Sequence, residues 1–372
     1  MSTHVTNPFS VNSYLGPDYF CDRENELKTL ELAMNNGCNL TFISPRRMGK
    51  TGLIKHFFAK TPASNAHCLY VDLDGTTCMK DFIKVFSETL LQTSISWPQR
   101  VMKDLVRGLA KLRPTMTPNP LTGELSWSVS IEPNTEVNTL LSIFDYLESS
   151  SKRCFVAFDE FQTIANYTEK NVEATLRSYI QHMHNVNFIF AGSQRHIMSE
   201  MFISPKRPFY NSTQMMTLNA IPREKYYEFA SRHISTIRQK FTETDFDYLY
   251  NRFQGHTWYL QCVLNRLYAN RIAPTTDNIN LMVRQIVTEN ASSYMTFCRL
   301  LPKNQVDLLR AVARNGEVTE ISNMNFIQEN CLPAPSSVRA AAKSLVDKEF
   351  LYLDSGKYTV YDRFFSLWLQ AM

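Results

Sequence analysis

The chain has 372 residues, of which 44% are hydrophobic and 20% charged, a length and balance that imply two or three packed domains and exclude a largely disordered protein. Its formal net charge of +4 at pH 7 is too small to draw the whole chain to nucleic acid or to an anionic membrane, so any such contact must be local. No apolar run is long enough to span a bilayer, and Met1–Phe20 lacks the basic start and apolar stretch of a targeting leader; the expected location is the cytoplasm, with no membrane partner.

After an N-terminal extension over residues 1–20, the stretch 21–220 alternates short β-branched or aromatic runs with helical patterns, the signature of a parallel sheet covered by helices. Strands are expected at Asn39–Ile43, Cys68–Leu73, Cys154–Phe158, Asn187–Ala191 and Gln214–Leu218, each a continuous apolar run as in strands buried on both faces. Residues 112–136 break the pattern with Pro114, Pro118, Pro120, Gly123 and Pro133, and the alternating segment Leu125–Ile131 predicts a hairpin inserted beside the sheet. Over residues 221–302 the spacing is helical only, as in Tyr227, Ala230, Ile234 and Tyr259, Val263, Leu267, so a helical domain follows. Residues 303–372 read as three helices, two short strands around Asp354–Lys357 and a last helix, the order of a winged helix. The eight cysteines form no C-x-x-C pair and are read as reduced, mostly buried thiols. His182 and His184, two apart on an expected helix, would point to different faces and so could not share a metal.

The strand ending at Ile43 runs into Ser44-Pro-Arg-Arg-Met-Gly-Lys-Thr51 and then into a helical pattern from Gly52, which is a Walker A loop in its strand-loop-helix setting. Backbone N–H groups of Ser44, Pro45, Arg46, Arg47, Met48, Gly49 and Gly52 are the expected cradle for phosphates, proline excepted as a donor, with the helix dipole behind them. Lys50 is expected on the terminal phosphates, and Thr51 on Mg²⁺. Ser44 stands where the motif has its first glycine. A second apolar strand ends in Asp159 and Glu160, a Walker B motif in which Asp159 would hold the Mg²⁺ shell and Glu160 would orient or deprotonate the attacking water. The next strand ends in Ser193 and Gln194, either of which could bind the γ-phosphate or the water or else cap the following helix; Ser193 is taken as the expected sensor. Lys50 and Asp159 lie far enough apart for Cys68–Leu73 and its helices to intervene, so the two motif strands are expected to be neighbours through an inserted strand.

With these motifs the chain resembles the bacterial and archaeal P-loop ATPases grouped with the STAND and AAA+ NTPases, particularly forms typical of Bacteroidetes. Phe20-Cys-Asp-Arg-Glu-Asn-Glu26 is similar to the family's N-terminal motif, with Asp22 where glycine is usual, and the resemblance implies that Arg23 lies near the base and ribose. Gly255-His-Thr-Trp-Tyr-Leu260 resembles the lid motif, with Thr257 in place of its proline. The implied fold is an α/β parallel sheet of the AAA+ or ASCE type with helices on both faces, followed by an all-helical lid and a C-terminal winged helix. The implied activity is ATP hydrolysis with Mg²⁺, used as a nucleotide-driven conformational switch, with a protein partner or a second copy of the chain as the expected company. In the winged helix, Tyr361, Phe364, Phe365 and Trp368 are expected to fill a core. Arg339 and Lys343 share a helix face and could touch DNA phosphates, but residues 303–372 hold eight Lys/Arg against eight Asp/Glu, and without a basic footprint an ATP-regulated DNA-binding role is the alternative rather than the favoured reading.

Overall fold

The computed structural model describes residues 6–94, 114–118, 125–131, 136–354 and 356–372. The chain divides into two units, residues 1–226 with 256–258 and residues 227–255 with 259–372. Strands of the first are, in chain order, β1 (Leu40–Ile43), β2 (Ala66–Asp72), β3 (Thr115–Pro118), β4 (Leu125–Ser128), β5 (Arg153–Asp159), β6 (Val186–Gly192) and β7 (Gln214–Met216). Five of them form a parallel sheet in the order β2-β5-β6-β1-β7, and β3 pairs with β4 as an antiparallel hairpin. β6 thus lies between the strands that carry the two nucleotide motifs.

Continuous apolar runs are needed here because side chains alternate between two buried faces. Along β5, Cys154, Val156 and Phe158 enter one core, while Phe155 and Ala157 enter the other. The second core is closed by α1 (Glu24–Asn35) and α2 (Lys50–Lys60) through Leu27, Leu30, Leu53 and Phe57. Residues of α3 (Met79–Ser94), α4 (Glu136–Glu148), α5 (Val172–Ile180) and α6 (Arg195–Ile203) fill the first. There Phe158, Phe161, Phe190, Phe202 and Phe209 form a chain of rings with centroids 4.5–6.2 Å apart, and such pairs add about 0.5–1.5 kcal/mol each beyond area burial. Val129 and Ile131, just beyond β4, are buried in the same core, and the Val129 N–H donates to Glu88 on α3 at 3.2 Å. The expected hairpin is therefore present over its described residues; the rest of 112–136 lies outside them.

Three expectations are corrected. The fifth strand stops at Met216 rather than Leu218 and is mostly exposed, because β7 is the edge of the sheet; Met216 packs half-buried against the core and Leu218, beyond the strand, is buried in it. His182 and His184 are not helical: α5 ends at Ile180, and the Glu148 carboxylate accepts the backbone N–H groups of His184 and Asn185, turning the chain into β6. Of the cysteines, Cys21, Cys154 and Cys262 are buried, but Cys38 and Cys331 are exposed and the other three half-buried, so "mostly buried" does not hold. Burial pushes the Cys154 thiol up to about 11 and Cys68 to about 12, which keeps both protonated and unreactive.

The second unit is helical through α7 (Arg223–Ser235, from Tyr227 on), α8 (Glu243–Arg252), α9 (Thr257–Ala269, from Tyr259 on), α10 (Thr276–Glu289) and α11 (Ala291–Leu300). Thr242 and Thr275 cap α8 and α10 by accepting the N–H groups of Asp245 and Asn278. Then come α12 (Lys303–Asn315), α13 (Met324–Glu329), α14 (Pro335–Asp347), the hairpin β8 (Leu351–Asp354) and β9 (Lys357–Val360), and α15 (Arg363–Gln370). Val318 adds an antiparallel bridge to Tyr358, completing the small sheet of a winged helix. Phe364 and Phe365 are buried as expected, whereas Tyr361 and Trp368 are only half-buried, with Trp368 stacked on Phe365 at 6.0 Å. Among the described residues no helix is long and apolar enough to cross a membrane.

Candidate functional site

β1 delivers the chain into residues 44–49, and α2 begins at Lys50. Gly49 caps α2 with φ 97°, a left-handed conformation that an L side chain adopts only under strain. Arg47 is also left-handed, at φ 67°, whereas Ser44 is not among the left-handed residues; a side chain at the first motif position therefore carries no backbone strain. Ser44 is fully buried and its hydroxyl donates to the Leu218 carbonyl at 3.3 Å. Lys50 is 5% exposed, and its ammonium donates to the carbonyls of Ser44 at 2.7 Å and Pro45 at 3.0 Å.

Arg23 supports this loop from the side. Its guanidinium donates to the Met48 carbonyl at 3.3 Å and the Asn219 carbonyl at 2.7 Å, and pairs with Glu26 at 2.7 Å. Both Asp22 and Arg23 have left-handed backbones, φ 56° and 75°, which is the physical use of a glycine at the position Asp22 occupies. Phe20 lies over Gly52, where an added Cβ would meet its ring at 3.4 Å, and stacks on His56 of α2 at 4.1 Å. Tyr14 is hydrogen bonded to His56 Nδ1 at 2.9 Å, and burial, with Lys60 nearby, lowers the imidazole below its ordinary range. The Arg47 guanidinium lies 3.8 Å from the centroid of the Trp258 ring, a cation–π contact. Thr257 takes the first position of α9, the place in a helix where proline is favoured.

Across the loop, Asp159 ends β5 and is 4% exposed. Its Oδ2 accepts the Thr51 hydroxyl at 2.6 Å and the Tyr70 hydroxyl at 2.6 Å, and its Oδ1 accepts the Glu160 N–H at 3.0 Å. Glu160 is left-handed, φ 52° and ψ 40°, a conformation that costs a non-glycine residue about 1–3 kcal/mol and concentrates at working sites. Its Oε2 accepts from Ser193 Oγ at 2.7 Å and from Gln162 Nε2. Arg46 Nε donates to Ser193 Oγ at 3.2 Å, so Arg46, Ser193 and Glu160 form one chain of hydrogen bonds. Gly192 makes this approach feasible, since a Cβ there would fall on the side chains of Gln162 and Met198.

Thr51 with Asp159, and Arg46 with Ser193 and Glu160, are thus brought together, while Arg23 is engaged with main-chain oxygens. Tyr70 and Gln162 were not singled out in the sequence. Tyr70 is a polar-tipped residue on a largely buried strand and Gln162 a polar residue inside an apolar turn, which are the signals that were there to read. Burial and the Asp159 charge push the Tyr70 phenol far up, and burial with the neighbouring acids raises Asp72. Among the described residues no group of three or more His, Cys, Asp and Glu could hold a metal; a cation at Thr51 and Asp159 would complete its shell from phosphate and water. Their all-oxygen donor set suits a hard divalent cation.

A loop at the start of a helix, set on a parallel sheet of this strand order, defines a P-loop fold of the AAA+/ASCE type. The chain belongs to the family described as "ATPase domain predominantly from Archaea", whose model matches residues 20–263, and a model described as "Probable winged helix domain" matches residues 292–371. It is similar to the Walker-type ATPase paby2304 of Pyrococcus abyssi, at 17% identity over 98% of this chain and 99% of that one, with TM-score 0.67. Similarity extends to the Aeropyrum pernix ORC2 protein, solved as ADPNP–ADP complexes, at 13% identity over 98% and 97% of the two chains and TM-score 0.58. The Aeropyrum pernix ORC1 protein, solved in complex with DNA, gives 11% identity over 98% and 96%, with TM-score 0.50. At these identities the likeness is one of fold. No curated protein matches the chain.

Proposed function

We propose that the protein is a Mg²⁺-dependent ATP hydrolase whose nucleotide state acts as a conformational switch. The observation that supports this best is the meeting of Thr51 with Asp159 at 2.6 Å beside Ser193 with Glu160 at 2.7 Å, a metal-side pair next to a water-side pair. Thr51 and Asp159 are the residues to hold Mg²⁺, which when bound would neutralise charge between the terminal phosphates. The Lys50 ammonium would exchange two carbonyls of its own loop for phosphate oxygens. Ser193, already shared between Arg46 and Glu160, would sense the γ-phosphate, and Glu160 would orient the attacking water and take its proton. Arg23 would act on affinity by fixing the Met48 carbonyl. The proposed division of labour assigns residues 21–220 to the ATPase core, 221–302 to the lid and 303–372 to the winged helix.

The test combines binding, turnover and shape. Lys50→Ala should abolish detectable ATP binding; unchanged affinity would mean the loop is misassigned. Glu160→Gln held in ATP should differ from the ADP-bound protein in small-angle scattering, and identical profiles would sink the switch while leaving the hydrolase. A second reading, DNA binding through the winged helix, is favoured by Arg339 and Lys343, both exposed on α14. Duplex affinity that falls steeply with salt and with replacement of both would support it.

A further inference from the structure

We propose that Tyr70 is a positioning residue for the metal side of the site, its phenol holding the Asp159 carboxylate so that Asp159 and Thr51 meet a divalent cation already aligned. The inference rests on the P-loop reading above and deepens it. Tyr70 lies on β2 in register with Ala157 of β5, and Asp72 is in register with Asp159; the ring therefore sits two positions back along the neighbouring strand, and its hydroxyl reaches forward to Asp159 Oδ2 at 2.6 Å. The same oxygen takes the Thr51 hydroxyl at 2.6 Å, and the other oxygen takes the Glu160 N–H at 3.0 Å.

An ionised carboxylate only accepts hydrogen bonds, at about four lone-pair sites. Three donors on two oxygens fix its plane and leave lone-pair capacity for the water of a cation shell. Thr51 must turn a lone pair to the cation while its O–H stays on Asp159, which requires that the carboxylate not swing away. Tyr70 supplies the donor that does not itself touch the cation. The ring is held independently, with the Lys55 ammonium 4.8 Å above its centroid. Tyr70→Phe accordingly removes one hydrogen bond and keeps the ring.

Outer-sphere partners of metal ligands typically change metal affinity by 10–100-fold when removed. The experiment measures ADP binding calorimetrically in EDTA and across a Mg²⁺ titration, and counts bound Mn²⁺ by electron paramagnetic resonance in the presence of ADP. For Tyr70→Phe, ADP affinity in EDTA should equal wild type, while half-saturating Mg²⁺ and Mn²⁺ should rise about tenfold or more. An unchanged cation requirement, or an equal loss of ADP affinity with and without cation, would overturn the role of Tyr70 while leaving the site intact. Wild-type protein that binds ADP with no response to Mg²⁺ would instead overturn the site reading and this inference with it.

Discussion

Replacing Glu160 by glutamine exchanges one carboxylate oxygen for an amide nitrogen at nearly constant volume. In the structure Oε2 accepts from both Ser193 Oγ and Gln162 Nε2, so the amide must keep its oxygen on that side and turn its NH₂ outward, where the base is needed. Orientation survives and basicity is lost. Loss of a positioned general base lowers rate by about 10²–10⁴-fold, which at 1.36 kcal/mol per decade is about 2.7–5.4 kcal/mol of transition-state stabilisation. Asp159 accepts the Glu160 backbone N–H, which glutamine retains, and the hydrogen bonds of Lys50 to its own loop and of Thr51 to Asp159 do not involve the Glu160 side chain; ATP affinity should hold within about twofold. Phosphate release at saturating ATP, read beside binding of a non-hydrolysable analogue, separates the two quantities. Turnover at the wild-type rate would remove Glu160 from the mechanism, and affinity lost together with turnover would show damage to the phosphate loop rather than to the base.

Arg23→Ala strips a charged donor from the Met48 and Asn219 carbonyls; hydrogen bonds to charged groups contribute about 1.5–3 kcal/mol, so nucleotide affinity and thermal midpoint should fall together while turnover at saturating ATP stays near wild type. Normal affinity with no turnover would place this arginine on the phosphates instead. Gly192→Ala forces Gln162 and Met198 aside, an overpacking that costs about 1–3 kcal/mol, and should slow turnover because Gln162 holds Glu160; an unchanged melting temperature in differential scanning calorimetry would refute the close approach. Burial, with Arg232 adding, holds the His233 imidazole down at about 4 against an ordinary 6.5. The folded value lies below the unfolded one, so the unfolded chain protonates first, and the stability contribution is complete above pH 6.5 and lost as pH falls toward 4. His233→Gln should flatten the fall in thermal midpoint across that window, and equal slopes for the two proteins would contradict it.

The sheet was legible because burial on two faces leaves strands such as Arg153–Asp159 almost no polar residue, a pattern that survives in one dimension. Boundaries moved where burial and composition part company: β2 starts at Ala66, two residues before its apolar run, because His67 is buried despite its polarity, and β7 ends early because an edge strand need not be covered. Thr51 at the start of α2, and Asp159, Glu160 and Ser193 at the ends of strands, could be nominated by type and position. Tyr70 could be noticed as a polar-tipped residue on a buried strand, but its partner could not, since the contact with Asp159 depends on the register between β2 and β5, which no local pattern encodes. Nor could the carbonyl partners of Arg23, which are set by left-handed turns at Asp22 and Arg23 themselves.

The strand order β2-β5-β6-β1-β7 also governs when the site can come into being. β1 is flanked by β6, through Leu40 and Ile189, and by β7, through Leu40 and Gln214, so the phosphate loop gains its neighbours only after most of the first unit has been made. Such distant pairings close large loops before any contact rewards them, and parallel sheets of this kind form slowly. A nascent chain that has released the loop and even the paired acids still lacks β6 between them and has no place for a nucleotide. ATP therefore acts as a ligand of the finished sheet: it can stabilise a chain that has closed, by mass action on the folded side, and can do nothing to guide one that has not.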